Sequence, residues 1–142
     1  MSAEENKAVI QRMFEAINAN DLDGVAELLT DDATVHTGIP GVPPGKEGFR
    51  GFVGLYLQAF PEQHVEVHEL LAEGDRVLAR HTHHVTHGGD FAGLSPSGKQ
   101  AVIDGLELFR VRDGRVAEMW HHDDLLSLMQ QLGAIPAIAA VE

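Results

Sequence analysis

Residues 99–122 read KQAVIDGLELFRVRDGRVAEMWHH, two alternating runs around an Asp-Gly pair. Asp113-Gly114 sits between two runs that alternate apolar and polar residues, Lys99–Val111 and Arg115–His122. Alternation with a period of two predicts strands with one buried face, and Asp-Gly between them predicts a tight hairpin. The same period holds upstream. His64–Ala72 and Val77–His87 flank a turn at Glu73-Gly74-Asp75-Arg76, and the glycine-rich segment Gly88–Gly98 connects them to the hairpin.

Ahead of the strands the period is helical. Val9, Ile10, Met13, Phe14 and Ile17 share one face, and Ser2 and Glu5 are spaced as a capping box. Asn18-Ala19-Asn20-Asp21 ends that helix, and a short second one is predicted from Asp21, burying Leu22, Val25, Leu28 and Leu29. After a stiff loop over Gly38–Gly45, a third helix carries Phe49, Phe52, Val53, Tyr56, Leu57 and Phe60 until Pro61 stops it. Beyond the hairpin, a last helix is predicted with Asp123 or Asp124 as its cap, through Leu125, Leu128, Met129 and Leu132 to a stop at Gly133. Ala134–Glu142 reads as an extended arm. Helices first and antiparallel strands afterwards predict the α+β class. No composition shift or repeat marks a boundary, so residues 1–142 are expected to form one domain, with a ligand-sized pocket between sheet and helices.

The composition narrows the chemistry. A chain of 142 residues with 44% hydrophobic and 23% charged residues is long and apolar enough for a proper core. It has no cysteine, which excludes disulfides, thiolate metal sites and a catalytic thiol. Its net charge of −12 opposes binding to nucleic acid and to anionic membrane surfaces. No apolar run is long enough to span a bilayer, and the first residues are acidic and polar, unlike a signal peptide, so a soluble cytoplasmic protein is expected.

Nine histidines are the oddity: His36, His64, His68, His81, His83, His84, His87, His121 and His122. Histidine titrates near neutral pH and ligates metals, so the chemistry is sought among them. Most are expected to be solvated strand residues. His81 and His83 point the same way along a strand and, completed by His121 or Asp90, could form a metal site. The pattern is incomplete, and no metal and no cofactor are expected. Arg80 could hold an anion but more simply pairs with one of the many acids.

Asp113-Gly114-Arg115-Val116-Ala117-Glu118-Met119-Trp120, followed by Asp124 and Leu128-Met129-Gln130-Gln131-Leu132-Gly133, resembles the SnoaL-like polyketide cyclases, also called ester cyclases. Gly41–Gly48, Glu73-Gly74-Asp75-Arg76-Val77 and Phe91–Gly98 agree, so the resemblance spans roughly Asn6 to Gly133. It implies a nuclear transport factor 2-like cone, in which a curved antiparallel sheet wraps the N-terminal helices and a C-terminal helix follows. It also implies a homodimer, an apolar pocket and no cofactor. Characterised members close a ring by intramolecular aldol condensation on an aromatic polyketide methyl ester, using an aspartate as general acid/base, a histidine and a polar amide. By distance from Asp113-Gly114, that aspartate falls at His121 and the histidine at Glu107. Gly105 stands at the amide, Met119 at a second pocket histidine and His36 at a pocket asparagine. Carboxylate and imidazole have thus changed places.

Glu107 and His121 are therefore the expected catalytic pair, with His121 moving the proton and Glu107 orienting it. A strict two-residue turn would set Glu107 opposite Trp120, and a bulged three-residue turn would set it opposite Met119 and diagonal to His121; the resemblance favours the bulge. His36, Ile17, Tyr56, His83, Met119 and Asp124 are the expected substrate-contacting residues, although Asp124 could instead cap the last helix. The reading is a cofactor-independent acid/base enzyme acting on a small hydrophobic substrate by cyclisation, isomerisation or epoxide opening. The alternatives are a non-catalytic binder of hydrophobic metabolites and a metal enzyme using His81 and His83. Apolar residues on both sheet faces, such as Leu78, Leu106 and Leu108 against Val77, Ile103 and Phe109, point to a homodimer through the outer face.

Overall fold

The computed structural model describes residues 2–141; Met1 and Glu142, the ends of the expected domain and arm, lie outside the described residues. The order is α1 (Ala3–Asn18), α2 (Leu22–Glu27), β1 (Leu29–His36), α3 (Lys46–Ala59), β2 (Glu62–Glu73), β3 (Arg76–Thr86), β4 (Gln100–Arg112), β5 (Arg115–Asp123) and α4 (Leu125–Gln131). The five strands form one sheet in the order β1-β5-β4-β3-β2. The α+β class and the cone expected from the resemblance are both present.

Local chemistry sets the helix ends. Ser2 Oγ accepts a hydrogen bond from Glu5 N at 3.1 Å, Asp21 Oδ1 accepts from Gly24 N at 2.9 Å, and Asp124 Oδ1 accepts from Ser127 N at 3.0 Å. The buried face of α1 is Asn6, Val9, Ile10, Met13 and Phe14. That of α3 includes Phe49, Phe52, Val53 and Tyr56. Both faces pack into one core with Val77, Ala79, Ile103, Phe109 and Met119 from the sheet.

One strand was not foreseen. Leu28 and Leu29 were expected on the second helix, but α2 ends at Glu27 and Leu29 begins β1. β1 pairs parallel to β5, with His36 beside Trp120, so the sheet is mixed rather than wholly antiparallel. Its buried positions, Leu29, Thr30, Ala33 and Val35, do not keep strict alternation, because a register irregularity falls between Leu29 and Thr34. That irregularity hid the strand.

The hairpin register also differs from both alternatives. Asp113 and Gly114 have φ of 51° and 78°, and Arg112 pairs with Arg115, so the turn itself has two residues. The extra residue sits further along. Val111 pairs with Val116 but Arg110 pairs with Glu118, leaving Ala117 as a bulge in β5. Glu107 consequently lies directly opposite His121.

Asn18, at the last turn of α1, imitates a strand neighbour. Its Nδ2 donates to Val65 O at 2.9 Å and its Oδ1 accepts from Val65 N at 2.7 Å. Removing it leaves both backbone groups of a buried β2 residue unpaired. Asn18→Ala is expected to cost about 2 kcal/mol in urea denaturation, with an unchanged far-ultraviolet circular dichroism spectrum; an unaltered midpoint would show that water replaces the clamp.

Candidate active site

The site is assembled in two cross-strand rows on the inner face of the sheet. In the first, Ala79, Glu107 and His121 lie side by side on β3, β4 and β5. In the next, the neighbours are His81, Gly105 and Asp123. Gly105 supplies no side chain, so His81 and Asp123 meet above it. A Cβ there would run into Asp123 Oδ1 and come within 2.8 Å of His81 Nε2. Gly105 is thus the gap through which two charged groups pair.

Four titratable side chains converge. His81 Nε2–H donates to Glu107 Oε1 at 2.9 Å and lies 3.4 Å from Asp123 Oδ1. His121 Nε2 lies 3.0 Å from Asp123 Oδ2 and 4.0 Å from Glu107 Oε1. The other ring nitrogen of His121, Nδ1, is 2.9 Å from Thr37 Oγ1, and that oxygen accepts a hydrogen bond from Ile39 N at 3.2 Å. His81 Nδ1 is buried and has no hydrogen-bond partner among the described residues.

Burial and pairing pull the protonation states apart. Burial opposes charge on His81, but the Asp123 and Glu107 carboxylates outweigh it and push its pKa up to about 10. His121 is likewise raised, with burial opposing and Asp123 more than compensating. Burial raises Asp123, yet its two imidazole neighbours hold it well below the usual carboxylate range. Glu107 moves the other way: burial and the nearby Asp123 charge raise its pKa. His83 is pushed down to about 4, chiefly by burial, and stays neutral with its Nε2 2.8 Å from Gln63 Oε1.

These groups open on a cavity of about 60 Å³ with apolar walls from Met13, Phe14, Ile17, Phe52, Val53 and Tyr56. It has room for a few waters or the reacting end of a small molecule. A second apolar pocket of about 370 Å³ lies against Ile39, Leu55, Phe91 and Met129. The Phe91 ring is 5.7 Å from that of Tyr56.

Of the residues expected at the site, Glu107, His121, Ile17, Tyr56, His83 and Met119 line the cavity. His36 does not. It follows inward-facing Val35 on β1, so its side chain points outward, stacks on Trp120 at 5.2 Å and pairs with Glu118 at 2.6 Å. Asp124 does not either, because it is exposed and caps α4. Its neighbour Asp123 takes the place in the cavity. The signal was available, since Asp123 stands two residues beyond His121 and shares its face. His81, which the sequence suggests as a metal ligand beside His83, joins Glu107 and Asp123 instead. His81, Glu107 and Asp123, not His81 and His83, present ligand atoms within 4.8 Å of one another and could hold a divalent cation. The expectation that Glu107 orients His121 needs correction too: Glu107 receives its hydrogen bond from His81, while Asp123 and Thr37 flank the His121 ring. Arg80 pairs with Glu69 at 2.7 Å.

The SnoaL-like polyketide cyclase family matches residues 7–132 of this chain. Aklanonic acid methyl ester cyclase DnrD of Streptomyces peucetius is 28% identical over 128 residues, 88% of this chain and 88% of that one. The crystal structure of AclR, a proposed hydroxylase from Streptomyces galilaeus, has a TM-score of 0.85 at 31% identity, covering 97% of this chain and 87% of that one. IdmH, a proposed polyketide cyclase from Streptomyces antibioticus, has a TM-score of 0.76 at 31% identity, covering 90% of this chain and 98% of that one.

The cluster predicts a pH dependence. His81 is protonated up to about 10 in the folded chain but only to about 6.5 when unfolded, so the folded state binds more protons between those values. Its stabilisation is complete below pH 6.5 and is lost as pH rises towards 10. The raised Glu107 has the same sign, whereas Asp123 matters only in acid, below its ordinary 3.8. Unfolding free energy should therefore fall by a few kcal/mol, roughly, between pH 6 and pH 9.5. His81→Gln should flatten that fall, and equal wild-type stability at the two pH values would contradict the ion-pair assignment.

Proposed function

The chain belongs to the SnoaL-like polyketide cyclase family, and from that premise we propose that it is a cofactor-independent acid/base enzyme closing a ring on a small hydrophobic carbonyl substrate. The observation that carries this reading is Glu107. It is a buried carboxyl with a raised pKa, it faces an apolar cavity, and its side chain is 9% exposed against 2%, 3% and 4% for His81, His121 and Asp123. Its Oε1 is held by His81.

The roles follow from who is already engaged. Both ring nitrogens of His121 have neighbours in the protein, so the proton-carrying step passes to Glu107. As a carboxylate, Glu107 takes a proton from the carbon next to a carbonyl. The C–H electron pair becomes the enolate, which attacks a second carbonyl in the same molecule and forms the new C–C bond. Glu107 then returns the proton to the alkoxide, so the product is an isomer of the substrate. A raised pKa suits a group that must accept and return a proton near neutrality. His81, protonated and hydrogen-bonded, favours the carboxylate form, and His121 with Asp123 supplies a second ion pair beside the developing charge. Only the reacting end of a polycyclic substrate would fit the cone; the apolar pocket at Ile39, Leu55, Phe91 and Met129 suits the remainder.

Aklanonic acid methyl ester, the compound in the name of the DnrD relative, is the first substrate to try. Wild-type protein, treated with chelator and not, should convert it equally to an isomeric cyclised product by chromatography and mass spectrometry. Glu107→Gln should lower kcat by about 10²–10⁴-fold. Full activity of Glu107→Gln would remove this residue from the mechanism, and activity lost on chelation would favour a metal at His81, Glu107 and Asp123.

We also propose a homodimer through the outer sheet face, with no nucleic acid or membrane as partner. Leu71, Leu78, Leu108, Trp120 and His36 are register neighbours in one row across all five strands. Leu71 is 56% exposed and Leu106, two residues before Leu108, is 47% exposed. A sheet face carrying Leu71, Leu78, Leu108 and Trp120 in one row favours a second apolar surface over water. Light scattering at micromolar concentration should give twice the chain mass, and Leu106→Lys should give the monomer; a monomeric wild type would refute the interface.

A further inference from the structure

Tyr56 carries a hydroxyl that the fold leaves without a use. It sits on α3, is 7% exposed and lines the cavity together with Glu107 and His121. Its Oη is buried and has no hydrogen-bond partner among the described residues. An unmade hydrogen bond of this kind costs about 1–3 kcal/mol, which a phenylalanine of the same shape would not incur. The ring is also well fixed. Phe52 packs edge-on at 5.4 Å, Phe91 lies at 5.7 Å, and His121 meets it edge-on at 5.8 Å. A rigid donor held at a cavity wall with no protein partner is preorganised for an acceptor that arrives with the ligand.

We propose that the Tyr56 hydroxyl is a catalytic hydrogen-bond donor to the carbonyl oxygen of the substrate, so that the site selects ketones and stabilises their enolates. This rests on the acid/base reading above, and it names the group on which the negative charge develops. When Glu107 removes the proton from the neighbouring carbon, the electron pair moves into the new C=C bond and the carbonyl oxygen becomes anionic. Tyr56 keeps its own proton throughout and shortens its hydrogen bond as the charge grows. Burial, with the negative charges of Asp123 and Glu107 behind it, raises the phenol's pKa above its ordinary 10, so it serves as a donor and not as an anion. On the helix side of the cavity no other side chain among the described residues competes for this role, and the one further unpartnered donor lining it, His81 Nδ1, belongs to the sheet side. His83 is engaged with Gln63, and the remaining helix-side wall is Met13, Phe14, Ile17, Phe52 and Val53, none with a hydrogen-bonding side chain.

The test compares 1-tetralone with tetralin, which share ring size and shape but differ in the carbonyl. Wild-type protein should bind the ketone about tenfold more tightly in calorimetric or nuclear magnetic resonance titration, the value of one hydrogen bond of about 1.4 kcal/mol. Tyr56→Phe should bind the two equally while its melting temperature stays equal or rises, because an unpartnered hydroxyl has been removed. Turnover of aklanonic acid methyl ester, where present, should fall by about 10²–10³-fold in the same variant. An undiminished ketone preference in Tyr56→Phe, or no ketone preference in the wild type, overturns the inference. Failure of the wild type to cyclise the ester, with the ketone preference intact and lost in Tyr56→Phe, would refute the cyclase reading and leave the donor assignment standing.

Discussion

One inserted residue orders the inner face of the sheet. Ala117 bulges from β5 opposite the point where Val111 pairs with Val116, so Val116 and Ala117 are both buried in succession. From there onward Met119, His121 and Asp123 face the cavity while Glu118, Trp120 and His122 face out. Without the bulge the strand would present the opposite set, because a shift of one residue turns every following side chain to the other face. A tight Asp113-Gly114 turn could not have brought His121 opposite Glu107 by itself.

Given that register, the absence of a side chain at Gly105 decides the electrostatics. His81 and Asp123 lie on either side of it and would otherwise be separated by a Cβ. Isolated, each of the four titratable groups would be expensive to bury, and removing one member of such a cluster strands the others. Together they distribute two positive and up to two negative charges within a few ångströms. Asp123 is fixed as the anion by two imidazoles, and Glu107, beside that anion, is the group left with a movable proton. Phe14, Phe52, Tyr56 and Phe109 keep bulk water from screening these interactions.

Much of this was legible in particular residues. The stripes of α1 and α3, the caps at Ser2 and Asp21, the Glu73–Arg76 turn and the Asp-Gly hairpin all depend on neighbours a few positions apart. Periodicity reads those directly. β1 was not legible, because its irregular pairing with β5 breaks the alternation and because parallel pairing links segments some eighty residues apart in sequence. His36 was misplaced for the same reason: with no strand read there, nothing fixed which way it pointed. Asp123 and Asp124 were indistinguishable as candidate caps, since either could begin the helix, and only the end of β5 assigns one to the cavity and the other to Ser127 N.

The α+β class and the stripes of the core were readable in the chain, since burial patterns and turn chemistry are local and survive in one dimension. The family and six of the residues that line the cavity followed from the resemblance together with those patterns. Which groups touch depends on how the elements pack in three dimensions. The His81–Glu107 hydrogen bond, the contact of Asp123 with both histidines, the Thr37 contact to His121 and the unpartnered Tyr56 hydroxyl each join elements whose relative position depends on the bulge and on helix packing against the sheet. A residue's type and face follow from its neighbours in the chain, whereas its protonation and its partners follow from distances of 3–4 Å across the core, and a one-residue change of register changes them all.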